Sequence, residues 1–198
     1  MILVINCGSN KTGFITKIVD DEVDVHEIEL FDLSSHSLEQ YKGFIISGAP
    51  ILLTEVDSDP YLKILERILD IGKPLLGICF GHQLIGLYFG SIASRMKTID
   101  DMEVISIIDE SAIFNRLPME ISMREDHCET ISVPEGFKLL ASSDSCVNEA
   151  MEKTEQLIYG LQFHPEISGN HGAVIIRNFV GICLNLSLIH ISEPTRPY

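Results

Sequence analysis

An apolar run, Pro74-Leu75-Leu76, passes through Gly77-Ile78-Cys79-Phe80-Gly81 and straight into a helix-like segment, His82-Gln83-Leu84-Ile85-Gly86. No other stretch restricts the fold as much. A strand that turns at once into a helix, with a cysteine at the apex between two glycines, has the form of a nucleophile elbow. A turn that tight brings backbone against its neighbours, so Cβ atoms at positions 77 and 81 are expected to have no room. Cys79 then stands at a helix N-terminus, where unpaired N–H groups and the helix dipole favour a thiolate. The alternative is an ordinary buried cysteine in a strand–helix turn.

The segments before the elbow alternate in type. Met1–Cys7, Val23–Leu30 and Gly43–Ser47 read as strands, and Lys11–Asp20 and Pro60–Ile71 carry apolar residues at helical spacing. Gly81–Phe89 follows as a helix closed by Gly90. Strand–helix alternation of this kind predicts a parallel sheet covered on both faces, with ligands at the carboxyl ends of the strands. The turns at Ser9 and Gly48 and the elbow at Cys79 all fall at that edge. Beyond Ser91 the rhythm changes to short strands at Met102–Ile108, Glu120–Met123, Gly136–Ala141, Glu149–Met151 and Leu157–Gln162, read as hairpins added to one side of the sheet. A final helix is predicted over Gly172–Leu186. The segment 187–198, with Pro194 and Pro197, fits nothing before it. One domain is expected over 1–186, followed by a disordered or non-native tail.

Composition narrows the function classes. With 198 residues, 45% of them hydrophobic, the chain can bury a full core. A net charge of −15 excludes nucleic acid as the expected partner, because a phosphate backbone needs a basic face. No apolar run is long enough to span a bilayer, and the N-terminus reads as a strand rather than a signal peptide, so no membrane association is expected. Cys7, Cys79, Cys128, Cys146 and Cys183 form no Cys-x-x-Cys pair. An odd, dispersed set points to a reducing cytoplasm and to no metal site.

The second stretch with chemical content is Gly160-Leu161-Gln162-Phe163-His164-Pro165-Glu166. Proline pushes the residue before it toward extended backbone, and in extended chain side chains two apart share a side. His164 and Glu166 are therefore expected to face one way, with Glu166 holding an imidazole that acts beyond it. A lone histidine is more often structural, and His26, His36, His171 and His190 are read so. A thiol, a base and a group that orients the base form the working set for nucleophilic catalysis. Such chemistry also needs oxyanion donors: the Phe80 N–H after the nucleophile, and the Ala49 N–H from the Ser47-Gly48-Ala49-Pro50 turn.

Gly77-x-Cys79-x-Gly81-x-Gln83 together with Phe163-His164-Pro165-Glu166 resembles the class I, triad-type glutamine amidotransferases over Met1 to Leu186. The resemblance implies a flavodoxin-like three-layer α/β sandwich, with a mostly parallel central sheet and added antiparallel hairpins. It implies L-glutamine as substrate, Cys79 as nucleophile, His164 as general acid and base, Glu166 as its orienter, and Ala49 and Phe80 as oxyanion donors. Gly48, Gln83 and His127 would line the substrate. Within the family, Pro134-Glu135-Gly136-Phe137-Lys138, Ala141-Ser142-Ser143-Asp144 and Ile158-Tyr159-Gly160 are most similar to the branch serving GMP synthesis, a step of purine biosynthesis. The departures are Gly48-Ala49-Pro50 for the usual Gly-Gly-Pro, Asp126-His127-Cys128-Glu129 for Ser-His-x-Asp, and Asn6-Cys7 at the end of the first strand. No Gly-x-x-x-x-Gly-Lys-Ser/Thr loop is present and no resident cofactor is expected. The ammonia acceptor would lie on a separate ATP-dependent synthetase subunit, of the ATP pyrophosphatase type. Another branch such as that of anthranilate synthesis, a related γ-glutamyl cysteine hydrolase, and a non-catalytic binding module remain the alternatives.

Overall fold

The computed structural model describes residues 1–189. Its centre is a nine-stranded sheet among the described residues, in the order β2-β1-β3-β4-β9-β8-β7-β5-β6. The parallel half comprises β1 (Ile2–Asn6), β2 (Val25–Glu29), β3 (Phe44–Ile46), β4 (Leu75–Ile78) and β9 (Ile158–Leu161). Three of the helices belong to this half: α1 (Thr12–Asp20), α2 (Asp59–Leu69) and α3 (Phe80–Tyr88). The last helix, α4 (Gly169–Ile189), starts before the predicted Gly172 and runs past Leu186. The remainder of the predicted tail, 190–198, lies outside the described residues.

Two-fold side-chain alternation divides each central strand between two cores. Ile2, Val4, Ile45, Leu76 and Ile78 face α1 and α4, where they meet Ile15, Val19, Ile175, Ile176 and Phe179. Leu3, Ile5, Phe44, Ile46 and Leu75 face the other way, onto Leu65 and Ile68 of α2 and Phe80, Leu84 and Ile85 of α3. A strand covered on both faces has no polar side, so these strands read as unbroken apolar runs. The edge strand β2 is half solvated, with His26 and Glu27 exposed. No helix among the described residues is long and apolar enough to cross a membrane.

The antiparallel half differs from expectation in length. The strands predicted at Met102–Ile108 and Glu120–Met123 are parts of a long ribbon, β5 (Ala93–Ile107) and β6 (Glu120–Ile131). The strand β6 alternates buried and exposed along its whole length, but its inward residues change from Ile121 and Met123 to Glu125, His127 and Glu129. Hydrophobic periodicity cannot register a strand whose inner face turns polar. Two shorter strands, β7 (Lys138–Ser142) and β8 (Ala150–Lys153), join this ribbon to β9.

The elbow is as tight as its glycines demand. A Cβ on Gly77 would run into the backbone of Gly81 and His82, and one on Gly81 into the backbone oxygen and side chain of Ile46. These obstacles are mostly backbone and cannot swing aside. Gly77→Ala is therefore expected to cost about 1–3 kcal/mol, several degrees of melting temperature in a chain of this size. Gly13, in α1, has nothing within 4 Å of its Cβ position. Gly13→Ala is the matched control and should melt at or above the parent temperature. Equal melting of the two variants by circular dichroism would contradict the close approach.

Candidate active site

The loops leaving the carboxyl ends of β1, β3, β4 and β9 converge on one pocket of about 610 Å³, lined by Gly8 to Lys11, Ala49 to Leu52, Cys79, Phe80, Gln83, His164 and the Asp126–Glu129 segment of β6. Its position beside the β1/β3 boundary is where a doubly wound sheet of this order leaves a crevice. Its size suits a small molecule.

Cys79 is the apex of the elbow, between β4 and α3. Its backbone sits at φ 50°, ψ −102°, a conformation that strains a residue with a Cβ. The surroundings hold it there: the Cys79 N–H donates to the Leu161 oxygen at 2.8 Å, and the Cys79 oxygen accepts from the Gln83 N–H at 3.0 Å. The side chain is 7% exposed, and its Sγ lies 3.8 Å from the Asp126 oxygen and 3.7 Å from Gln162 Nε2. Burial pushes the thiols of Cys7 and Cys146 up to about 12 and raises that of Cys183 as well.

His164 follows β9 and lines the pocket beside Cys79. Its Nδ1–H donates to Glu166 Oε1 at 2.7 Å, and both side chains are almost fully buried. Burial pulls the imidazole pKa down, but the hydrogen bond and charge of Cys79 and those of Glu166 outweigh it and carry His164 up to about 9. His164 is bridged to Arg124 in the manner of a strand, as the proline suggests, but the chain turns directly after it: Pro165–Ile167 forms a 3₁₀ turn that holds Glu166. The His164 backbone is braced at both ends: its N–H donates to the Arg124 oxygen at 2.8 Å, and its oxygen accepts from Ser168 Oγ at 2.6 Å.

The other residues singled out in the sequence surround this pair. A Cβ on Gly48 would stand 3.1 Å from His164 Cε1 and 3.7 Å from Cys79 Cβ, so bare backbone lets that turn close on both. Ala49 lines the pocket, and Phe80 is the first residue of α3, where an N–H has no preceding turn to bond. Gln83 lines the pocket too, but its Nε2 is engaged inside, donating to the Glu129 oxygen at 3.1 Å and to Gln162 Oε1 at 3.0 Å. His127 borders the pocket with its ring turned inward: Nδ1 lies 2.8 Å from the Glu129 oxygen, and Nε2 lies 3.1 Å from Glu125 Oε2, off the line a hydrogen bond needs.

Several residues here carry no motif. The Glu129 carboxylate accepts from the Leu53 N–H at 2.8 Å, from the Thr54 N–H at 3.0 Å and from the Thr54 hydroxyl, tying the segment after Pro50 to β6. Lys11 pairs with Asp126 at the pocket mouth. Burial works against ionised Asp126, and Lys11, with His164 and Arg124, outweighs it and holds that carboxyl below its usual range.

Beneath the pocket lies a buried polar cluster of His82, Glu125, His127 and Glu149. Burial, then His127, pulls the His82 ring down to about 3, so it is neutral. Burial raises the carboxyls of Glu125 and Glu149, and their mutual proximity raises Glu149 further. Both oxygens of Glu125 and Oε2 of Glu149 lack a donor if both groups are ionised. A proton held between the two carboxyls supplies a donor to one of these oxygens, and burial with mutual repulsion keeps it there at neutral pH. An unfolded glutamate ionises near 4.5. Above that pH the folded chain therefore binds more protons than the unfolded one, and its stability falls as pH rises until the buried pair itself ionises. Glu149→Gln should flatten this fall between about pH 5 and 8 and raise stability at the upper end. Denaturant melts across that range test it; an unchanged slope would contradict the shared proton.

The chain is similar to known proteins over most of its length. Over 174 residues the chain is 45% identical to a protein of Pyrococcus furiosus named as a glutamine-hydrolyzing GMP synthase subunit, covering 86% of this chain and 87% of that one. The protein of the same name from Thermococcus kodakarensis is 37% identical over the same shares. A crystal structure of a protein described as a putative GMP synthase subunit, from Thermoplasma acidophilum, superposes with a TM-score of 0.87 at 30% identity, over 96% of this chain and 97% of that one. The family described as "Glutamine amidotransferase class-I" matches residues 3–184, and the chain belongs to it.

Proposed function

We propose that the chain is the glutamine-hydrolysing subunit of a GMP synthase, acting as one domain over residues 1–186. It would release ammonia from L-glutamine for a separate synthetase chain of the ATP pyrophosphatase type. The observation that carries this reading is the Cys79–His164–Glu166 constellation on a strained elbow at the pocket floor. In this reading the Cys79 thiolate attacks the glutamine side-chain carbonyl carbon, and the Phe80 and Ala49 N–H groups stabilise the oxyanion. His164, held in one tautomer by Glu166, gives its proton to the departing ammonia and leaves a glutamyl thioester. It then takes a proton from water, which attacks the thioester; glutamate leaves and the thiolate is restored. Gly48 gives the turn its close approach, while Gln83 and His127 shape the wall against the substrate. Lys11 and Asp126 place charges of both signs at the mouth, which suits an amino acid carrying both an ammonium and a carboxylate. The names of the relatives support GMP as the product and a second chain as the partner. That partner would activate xanthosine monophosphate with ATP, in the cytoplasm.

Glutamate release from glutamine tests the reading, measured with and without a GMP synthetase subunit, xanthosine monophosphate and ATP. Turnover that rises with the synthetase and falls by about four orders of magnitude in Cys79→Ala is the expected result. Cys79-dependent turnover indifferent to the synthetase would keep the glutaminase and remove GMP from the proposal.

Glu166→Gln keeps the shape but removes the negative charge that helps raise His164. The rate should fall by about 100-fold. The alkaline limb of kcat/KM, set near pH 9 by loss of the His164 proton, should move to lower pH. An unmoved limb would separate Glu166 from that histidine.

A further inference from the structure

The Cys79 sulfur has a neighbour that neither motif contains. Gln162 follows β9 and is fully buried, and its Nε2 points at Cys79 Sγ from 3.7 Å. An amide has a donor end and an acceptor end, and which one meets the sulfur decides what it does there. Here the polarity is fixed from a distance. The Glu129 backbone oxygen can only accept, so the group that Gln83 turns toward it must be its NH2, at 3.1 Å. The second hydrogen of that NH2 reaches Gln162 Oε1 at 3.0 Å. With its oxygen taken, Gln162 has only its own NH2 left for the sulfur. Gln83 thus donates both ways, to the Glu129 oxygen and to Gln162, and the branch through Gln162 ends in a donor aimed at Cys79.

We propose that Gln162 is a catalytic residue that holds the Cys79 sulfur as an acceptor, with Gln83 as the positioning residue that fixes the direction of its amide. This rests on the glutaminase reading. A donor at the sulfur favours the thiolate over the thiol, whose own proton would point to His164 or to the Asp126 oxygen. It acts again in hydrolysis, when the carbon–sulfur bond of the second tetrahedral intermediate breaks and sulfur leaves with the electron pair. Gln83 then serves the nucleophile through Gln162 as well as lining the substrate.

The test is alkylation of the full chain by iodoacetamide, followed at each cysteine by peptide mass spectrometry and set beside glutamate release. Gln162→Met keeps the volume and removes the donor. Its Cys79 alkylation at neutral pH should fall by about tenfold or more, the worth of a hydrogen bond to a charged acceptor, and converge with the parent at strongly alkaline pH. Gln83→Met leaves the Gln162 amide free to turn, and a smaller fall is expected. The double variant should be no slower than Gln162→Met alone, because Gln83 acts on the sulfur through Gln162. Buried Cys7, Cys146 and Cys183 report folding in the same experiment and should stay unreactive. If Gln162→Met exposes them, Gln83→Met carries the test. Parent-like alkylation of Cys79 in folded Gln162→Met overturns the role of Gln162 and leaves the nucleophile standing. Glutamate release that survives in Cys79→Ala overturns the glutaminase reading itself.

Discussion

Everything at the pocket depends on one close approach. Gly77, Gly81 and the Ile46 backbone lie so near one another that α3 must start directly above β4, with no residue spare for a gradual turn. Cys79 bears the cost in a left-handed backbone, and its N–H and oxygen are pinned to β9 and to α3. Strain of this kind persists only where the surroundings over-determine it. Two apolar cores on opposite faces of the sheet provide those surroundings, and they are closed by alternating residues of the same short strands.

A second constraint comes from the antiparallel ribbon. The inner face of β6 is apolar at Ile121 and Met123, polar at Glu125, His127 and Glu129, and apolar again at Ile131. The polar section is placed where it meets α3, the segment after Pro50 and the segment after β9 together. Glu129 does the most varied work: its carboxylate holds Leu53 and Thr54, and its backbone oxygen takes bonds from Gln83 and His127. Two walls of the pocket and the Gln83 amide are thus referred to a single residue of β6.

Much of the parallel half was legible in the sequence because local rules and tertiary demands coincide there. Unbroken apolar runs mark strands covered on both sides, and Gly77 and Gly81 mark an approach that only bare backbone allows. The ribbon was only half legible, since polar residues at Glu125, His127 and Glu129 conceal the two-fold pattern where the strand meets the pocket. His164 and Glu166 could be picked out from their proline, although the turn that joins them is 3₁₀ rather than extended. Gln162 and the Glu125–Glu149 pair could not be picked out at all. Their significance lies in which atoms face which across elements far apart in the chain, and no periodicity encodes that.

The insertion of β5 to β8 between α3 and β9 has a consequence in time. Cys79 and His164 follow adjacent strands, β4 and β9, yet lie 85 positions apart in the chain. At ribosomal speeds of about 5–20 residues per second, the thiol is made roughly 4 to 17 seconds before the imidazole. Through that interval β4 has no β9 beside it, and the elbow lacks the Leu161 oxygen that holds its strained residue. The nascent chain thus carries its cysteine without His164 beside it, and the two come together only as the last strand enters the sheet.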